Sequence, residues 1–195
     1  MFFDNHVLME GEQALLSSWS NNEFNMVLAV VTSAPRIIFI TEEGNVVPNF
    51  EIARSKSPVA AIQWHPLLQA LAIGWQDGGM TLWNEDERLT RDERTVHQSA
   101  ITNITFSTDG SRMVTGDMKG TCAVWRTHRG MTPVCQYTRE GAVNQIVFCS
   151  LVLNNTVPNT ADNTNSLFFF GGQSGSVCLA DDLKNCSEVC KVPGS

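Results

Sequence analysis

The feature that most constrains this chain is an internal repeat of fixed length. Residues 60–83 and 102–125 align without a gap, at a spacing of 42 residues. The matching positions are Trp64 and Phe106, Gly74 and Gly116, Gly78 and Gly120, and Trp83 and Trp125. A repeat of about this length, in which each copy ends on an aromatic residue, is typical of chains that repeat one four-stranded unit. We therefore expect a row of similar β-sheets.

Two further copies of the unit flank this matched pair. The later copy begins at residues 143–148 and repeats the glycine turn at Gly171 and Gly175. Its first glycine lies 13 residues later than the spacing requires, and we place this insert in a loop over residues 150–165. The earlier, degenerate copy consists of three apolar segments, at residues 14–19, 26–31 and 37–41.

The pattern within each unit favours strands over helices. Residues two apart share one face of a strand, and Ala60, Ile62 and Trp64 are apolar in this way. The second strands are apolar runs, which suits the doubly covered sheets of a β-propeller. We predict one all-β propeller segment over residues 1–195, with about four blades in an incomplete ring. The predicted blades span residues 14–51, 58–97, 100–137 and 142–191, with fourth strands near 46–51, 94–97, 134–137 and 187–191.

One unit resembles a WD40 repeat in its individual residues. The segment that begins at His97 runs without a gap into Thr115 and Trp125. WD40 blades often link a His, an Asp, a Ser or Thr and a strand Trp by hydrogen bonds, and these three residues match three of the positions. The resemblance places the Asp position at Met118 or Lys119, which implies an incomplete network.

The preceding unit keeps fewer of these residues. Asp77 and Trp83 are retained, but Ser55 stands at the His position and Ile73 at the Ser or Thr position. We therefore expect this blade to be held more by packing than by polar contacts.

The two matched units also resemble one particular family, the N-terminal propeller of intraflagellar transport protein 140. The segments that carry this similarity are residues 65–66, 71–75, 79–84, 97, 100–102, 115–117 and 124–126. The family belongs to intraflagellar transport complex A. The resemblance implies a subunit on the cytoplasmic side of the cilium or flagellum and basal body, supporting retrograde transport and cargo entry. It also implies partners, namely the other subunits of the complex and cargo proteins.

Charge and composition argue against several other classes. The chain has 13 Lys and Arg against 20 Asp and Glu, which gives a net charge of −7. It therefore lacks the positive field that nucleic-acid binding requires. No apolar run reaches about 18 residues, so no transmembrane segment is expected. The N-terminus lacks the positive start of a secretory signal, which predicts an intracellular chain. The six cysteines form no paired clusters of the zinc-binding type, so no metal or other cofactor is expected.

Candidate sites are few. His97 could act as a base, but no nucleophile motif accompanies it, so we predict no catalytic residue and give His97 a structural role. Trp75 follows a glycine at a predicted strand end, where an exposed aromatic ring could anchor a partner. The predicted structural blade positions are Trp64, Gly74, Gly78, Trp83, His97, Phe106, Thr115, Gly116, Gly120, Trp125, Gly171 and Gly175.

These observations favour a non-enzymatic scaffold that binds proteins through loop-lined surfaces. One alternative is a generic WD40 adaptor of another complex, such as a ubiquitin ligase, and the least favoured is a propeller enzyme. Because WD40 rings usually close with about seven blades, four blades suggest a fragment, a chain that pairs with another, or a short propeller. An open arc exposes two blade edges, so we expect the isolated chain to associate or aggregate.

Overall fold

The protein consists of β-strands arranged in four antiparallel sheets, as seen in a computed structural model. The structure describes residues 11–21, 26–34, 36–53, 57–84, 89–93, 96–128, 130–149 and 166–191. Within these ranges there is no helix, and therefore no helix that could span a membrane. The predicted all-β fold is confirmed.

Each sheet contains four strands in chain order, joined by hairpins, and is called a blade below. Blade one contains β1 (Ala14–Trp19), β2 (Val27–Thr32), β3 (Arg36–Thr41) and β4 (Val46–Ala53). Blade two contains β5 (Val59–Trp64), β6 (Ala70–Trp75), β7 (Met80–Asn84) and β8 (Leu89–Glu93). Blade three contains β9 (Ile101–Phe106), β10 (Arg112–Asp117), β11 (Thr121–Arg126) and β12 (Thr132–Thr138). Blade four contains β13 (Val143–Phe148), β14 (Phe168–Gly172), β15 (Ser176–Ala180) and β16 (Cys186–Lys191).

One strand lies elsewhere than the sequence predicted. The fourth strand of blade two is β8, because the hairpin pairs Asn84 with Leu89 and Met80 with Glu93. Of the strand predicted at 94–97, residues 94–95 lie outside the described residues, whereas Val96 and His97 belong to no strand and His97 is buried. The expected insert loop at 150–165 lies outside the described residues.

Neighbouring blades pack face to face around their first strands. β1 lies beside β5, β5 beside β9, and β9 beside β13. An apolar cluster fills each gap between blades, and burying one large apolar side chain contributes about 1.5–3 kcal/mol. The clusters include Phe39 and Trp64 between blades one and two, Met80 and Ile101 between two and three, and Val124 and Phe168 between three and four.

The row of blades does not close into a ring. No packing comparable to these joints connects β13 with β1 among the described residues. Apolar side chains are consequently exposed at both ends of the row: Leu16 and Trp19 on β1, Val147 on β13, and Phe169 on β14. Closed propellers cover such faces with a further blade.

Candidate interaction site

The turn between β5 and β6 presents two exposed leucines on a fixed backbone. The N–H groups of Leu67 and Leu68 both donate to Nδ1 of His65, each over 3.1 Å. Their side chains are 69% and 56% exposed. An apolar group that is exposed but already held in place loses little further entropy when a partner binds it.

His65 also ties this turn to the next blade. Since Nδ1 accepts two hydrogen bonds, Nε2 carries the proton and donates to the carbonyl oxygen of Gly110, over 3.1 Å. Burial lowers the pKa of His65, and the hydrogen bond to Gly110 and the nearby Asp109 carboxylate offset this only in part. The imidazole is therefore neutral near pH 7, which is the state that can accept from the leucine turn.

A third exposed leucine, Leu183, lies on the turn between β15 and β16. One carboxylate oxygen of Asp181 accepts from the N–H groups of Leu183 and Asn185, over 2.8 and 2.9 Å. The other accepts from the Asn185 side-chain amide, over 2.6 Å. Lys184 has a φ of 72°, the only non-glycine residue with a positive φ in the described ranges. A strained backbone of this kind persists only where its surroundings hold it, as Asp181 does here.

These two turns lie at the same end of the sheets, which we call the leucine end and define by Leu67, Leu68 and Leu183. The His65–Gly110 hydrogen bond joins blades two and three at this end. The Arg112 guanidinium joins blades three and four by donating from Nε to Asp182, over 2.8 Å. The leucine end thus presents separate exposed leucine side chains on blades that are joined to one another by hydrogen bonds and an ion pair. Two consecutive leucines within a turn were the sequence signal for it, and sequence analysis missed them.

His97 belongs to a closed network and is not available to a substrate. Its Nδ1 lies 3.0 Å from an Asp117 carboxylate oxygen, and its Nε2 lies 2.7 Å from the Thr115 hydroxyl. The indole N–H of Trp125 donates to the same hydroxyl, over 2.7 Å. The expectation of an incomplete network at Met118 or Lys119 is therefore wrong, because Asp117, the last residue of β10, supplies the carboxylate.

The two carboxylate oxygens of Asp117 bind different partners, the His97 ring and the backbone of the following turn. One faces His97, and the other accepts from the N–H groups of Lys119 and Thr121, each over 2.9 Å. Burial alone would raise the pKa of Asp117, but the hydrogen bonds from His97 and from the turn outweigh it and lower the pKa. The carboxylate is consequently charged and fixed at neutral pH.

Trp75 is buried, so the expectation that it forms an exposed anchor is wrong. It is 2% exposed and ends β6, where its indole N–H donates to the Thr81 hydroxyl over 2.8 Å. Trp75 pairs with Val59 as Asp117 pairs with Ile101, so it occupies the position of Asp117 in blade two. Asp77 lies in the following turn, where it accepts from the N–H of Gly79.

The other sequence-predicted positions lie in repeated locations. Trp64 and Phe106 end first strands, and Trp83 and Trp125 lie in third strands. Gly74, Gly116 and Gly171 lie within second strands, whereas Gly78, Gly120 and Gly175 lie in the turns that follow, with positive φ. Ser55, expected at the His position of blade two, lies outside the described residues.

Cys122 and Cys135 lie on the third and fourth strands of blade three, and Cys178 and Cys186 lie on those of blade four. Arg139 donates from Nε to the sulfur of Cys178 and from Nη2 to that of Cys186, over 3.4 and 3.3 Å. Burial raises the pKa of Cys122, Cys135 and Cys186, which disfavours their reactive thiolate forms. Across the described residues, no group of three or more His, Cys, Asp or Glu side chains is arranged to hold a metal ion.

Two curated proteins are similar in sequence to part of this chain. WD repeat-containing protein 90 of Xenopus tropicalis is 27% identical over 120 residues, which is 62% of this chain and 6% of that protein. Centriole proteome protein 16 of Chlamydomonas reinhardtii is 28% identical over 115 residues, which is 56% of this chain and 6% of that protein. The chain therefore spans a small fraction of the length of either relative.

Structural similarity and a family model agree with the repeat pattern. A chain in the crystal structure of the mitotic checkpoint complex superposes with a TM-score of 0.69 at 15% identity, covering 93% of this chain and 51% of that one. At this identity the similarity shows the fold alone. The model described as the IFT140 first beta-propeller matches residues 1–163 and confirms the resemblance that the sequence carried. The chain belongs to the IFT140 first beta-propeller family.

Proposed function

We propose that this chain is a protein-binding part of an intraflagellar transport complex A subunit. In this role it binds other subunits of the complex, and cargo proteins, during retrograde transport and cargo entry. It acts on the cytoplasmic side of the cilium or flagellum and at the basal body. The observation that carries the proposal is the family match over residues 1–163. The similarity to a Chlamydomonas reinhardtii protein named for the centriole proteome supports the same location.

The mechanism we propose is binding, without a chemical step or a cofactor. The leucine end offers Leu67, Leu68 and Leu183 to a partner, on turns already fixed by His65 and Asp181. Apolar side chains on rigid turns suit recognition of an apolar groove or helix face, because little conformational freedom is lost on binding. His97, the candidate base, has both ring nitrogens engaged inside blade three.

The test is affinity purification of the tagged chain from ciliated cells, followed by quantitative mass spectrometry. We expect the wild-type chain to recover other complex A subunits. A variant with Leu67→Ser, Leu68→Ser and Leu183→Ser should recover them at least tenfold less well, because removal of apolar contacts weakens an interface by several kcal/mol (about 1–2 kcal/mol per anchor).

The matched control is Met118→Ser, which changes an equally exposed apolar residue in the β10–β11 turn, at the opposite end of blade three. Its recovery of complex A subunits should equal that of the wild type. Recovery of a ubiquitin-ligase core with no transport subunits would instead support a generic WD40 adaptor. Equal recovery by the triple variant would exclude the leucine end as the binding surface.

A further inference from the structure

The exposed leucines of blade two, Leu67 and Leu68, lie close to a negative charge of blade three and are called the leucine pair below. The carbonyl oxygen of Gly110 accepts the hydrogen bond that orients His65, and Asp109 directly precedes Gly110 in the chain. The Asp109 carboxylate is near enough to act electrostatically on the His65 ring. The backbone of the leucine pair donates to the other nitrogen of that ring. The leucine pair and the carboxylate therefore lie around one imidazole.

The Asp109 carboxylate is exposed, charged and fixed in orientation. One of its oxygens accepts from the Ser107 hydroxyl over 2.6 Å and from the Ser111 N–H over 3.1 Å. The other accepts from the Ser111 hydroxyl over 2.8 Å. Partial burial would raise the pKa of Asp109, but the hydrogen bonds from Ser107 and Ser111 outweigh it and lower the pKa. Among the described residues Asp109 forms no ion pair, so its charge is available to a partner.

The other exposed charges at the leucine end differ from blade to blade. Glu42 and Glu43 are exposed in the turn between β3 and β4, so blade one also presents negative charge at this end. Within the described ranges, the exposed Lys and Arg side chains here are Arg126 and Lys184, which belong to blades three and four. The leucine pair of blade two thus has a blade with an acidic turn on either side.

These charges distinguish two surfaces that could receive the leucine pair, a lipid bilayer and an apolar groove of a protein. The cytoplasmic leaflet of a membrane is negatively charged and attracts Lys and Arg. Asp109 beside the leucine pair and the net charge of −7 oppose the approach to such a surface. A protein can instead place a positive group opposite the carboxylate. The charges therefore favour a protein partner.

The shape of the turn indicates what kind of protein surface is complementary to it. Two consecutive leucines that project from a turn form a convex contact, and such a contact is buried in a groove or pocket of the partner. Asp109 lies beside the leucine pair, where the polar rim of the interface would form. Charge pairs at a rim set the register and the rate of association more than the affinity. The matching surface is consequently an apolar groove with a basic group at its edge.

From these features we propose that the leucine pair binds an apolar groove of a partner protein, and that a Lys or Arg at the rim of this groove donates to Asp109. The inference rests on the proposed function, in which the leucine end is the binding surface, and it adds the chemistry of the partner. The leucine pair supplies the apolar contact. The ion pair selects among apolar grooves, because a groove with an acidic rim is repelled by Asp109.

The test measures which proteins the tagged 195-residue chain recovers from ciliated cells, at ionic strengths of about 0.15 M and about 1 M. The relevant proteins are those that a double variant, Leu67→Ser with Leu68→Ser, no longer recovers. Asp109→Asn removes the charge but keeps an acceptor for the Ser107 hydroxyl and the Ser111 N–H, so the turn persists. It should lower recovery about threefold at the lower ionic strength. It should also remove most of the salt dependence, because salt screens ion pairs between exposed groups.

Asp109→Lys places a like charge opposite the basic rim and should lower recovery roughly tenfold or more. The matched control is Asp77→Asn, which removes an exposed carboxylate that accepts from a turn N–H at the opposite end of blade two. Its recovery and salt dependence should equal those of the wild type. Wild-type recovery by Asp109→Asn at both ionic strengths would overturn the inference and leave the leucine end as the binding surface. Absence of complex A subunits among the leucine-dependent proteins would overturn only the transport role, and absence of any leucine-dependent protein would overturn both proposals.

Sedimentation with lipid vesicles tests the membrane directly. The vesicles consist of phosphatidylcholine alone or of phosphatidylcholine mixed with phosphatidylserine. We expect the wild-type chain to bind neither kind. Binding to either kind that is lost in the double leucine variant would assign the leucine pair to a membrane surface and overturn the inference.

Discussion

Blades two and three have the same arrangement of strands but differ in their buried side chains. Both carry a glycine in the second strand, Gly74 or Gly116, where an added Cβ atom would lie 2.5 Å from a side chain of the next blade. In blade three the position after this glycine is Asp117, which organises a buried polar network. In blade two the same position is Trp75, which packs among apolar side chains and donates one hydrogen bond. The repeat therefore fixes the joints between blades, while the interior of each blade can be polar or apolar.

The two blades are stabilised by different forces. At the joint between blades one and two, the rings of Phe39 and Trp83 stack at 4.8 Å, and Trp64 contacts both edge to face. Such pairs contribute about 0.5–1.5 kcal/mol each beyond their buried area. In blade three, His97, Thr115 and Asp117 depend on one another, because a buried polar group that loses its partner costs about 1–3 kcal/mol. The apolar interior tolerates partial changes better than the polar one.

The largest expected effect comes from removing the carboxylate of blade three. Asp117→Ala leaves His97 and two turn N–H groups without their acceptor, so we expect the free energy of unfolding to fall by about 3–5 kcal/mol. Urea denaturation followed by tryptophan fluorescence measures it. Asp77→Ala, in the turn of blade two, is the control and should cost about 1 kcal/mol. Equal losses for both variants would contradict the distinction between the blades.

A smaller effect separates the two threonines that accept from indoles. Thr115 contacts both Trp125 and His97, whereas Thr81 accepts from Trp75. Because Val has the shape of Thr without its hydroxyl, Thr115→Val should lower the free energy of unfolding by about 2–3 kcal/mol and Thr81→Val by about 1 kcal/mol. Denaturant midpoints of the two variants provide the comparison. A larger loss for Thr81→Val would show that blade two depends equally on polar contacts.

Acid should weaken the two blades over different pH ranges, with a smaller effect than these substitutions. The pKa of His65 is lowered in the folded chain, so the unfolded chain takes up the proton first and stability falls as the pH drops below about 6.5. The pKa of Asp117 is also lowered, and its contribution is lost only below about pH 3.8. Thermal unfolding between pH 7 and 5 measures the first range.

The control for this pH dependence is a change of histidine. His65→Gln keeps an acceptor for the leucine turn but removes the titrating group, so it should flatten the loss of stability between pH 7 and 5. His128→Gln changes an exposed histidine and should leave the slope as in the wild type. An unchanged slope in His65→Gln would assign the acid sensitivity to another group.

Glycine and aromatic spacing predicted the sheets because these residues have one geometric role in every copy. It did not locate the carboxylate of blade three, since Asp117 lies one residue before the turn where the Asp was expected. Trp75 was misjudged for a related reason: β6 continues through Gly74 instead of ending there, which buries the ring. Strand ends depend on pairing with neighbouring strands, and a single sequence does not specify that pairing to within one residue.

Sequence analysis missed the leucine end because the features that define it depend on tertiary contacts. Leu67 and Leu68 in a turn are visible in the sequence, but their fixed backbone depends on His65, and its orientation depends on Gly110 in the next blade. The same holds for Leu183, whose turn is organised by Asp181. A sequence pattern indicates exposure of such residues only after the strands on either side are placed.

The close contacts of Gly74 and Gly116 with the next blade have a consequence for how such chains can change in length. Both halves of the joint, the glycine and the side chain that fills the space beside it, occur once in every 42 residues of the matched repeat. A duplicated stretch of that length would carry its own glycine and its own filling side chain, and could be inserted between existing blades without altering either neighbour. An insertion of any other length within a strand would disrupt the fit on both sides. Gene duplication in whole units is thus the growth step that this architecture tolerates, whatever each blade contains inside.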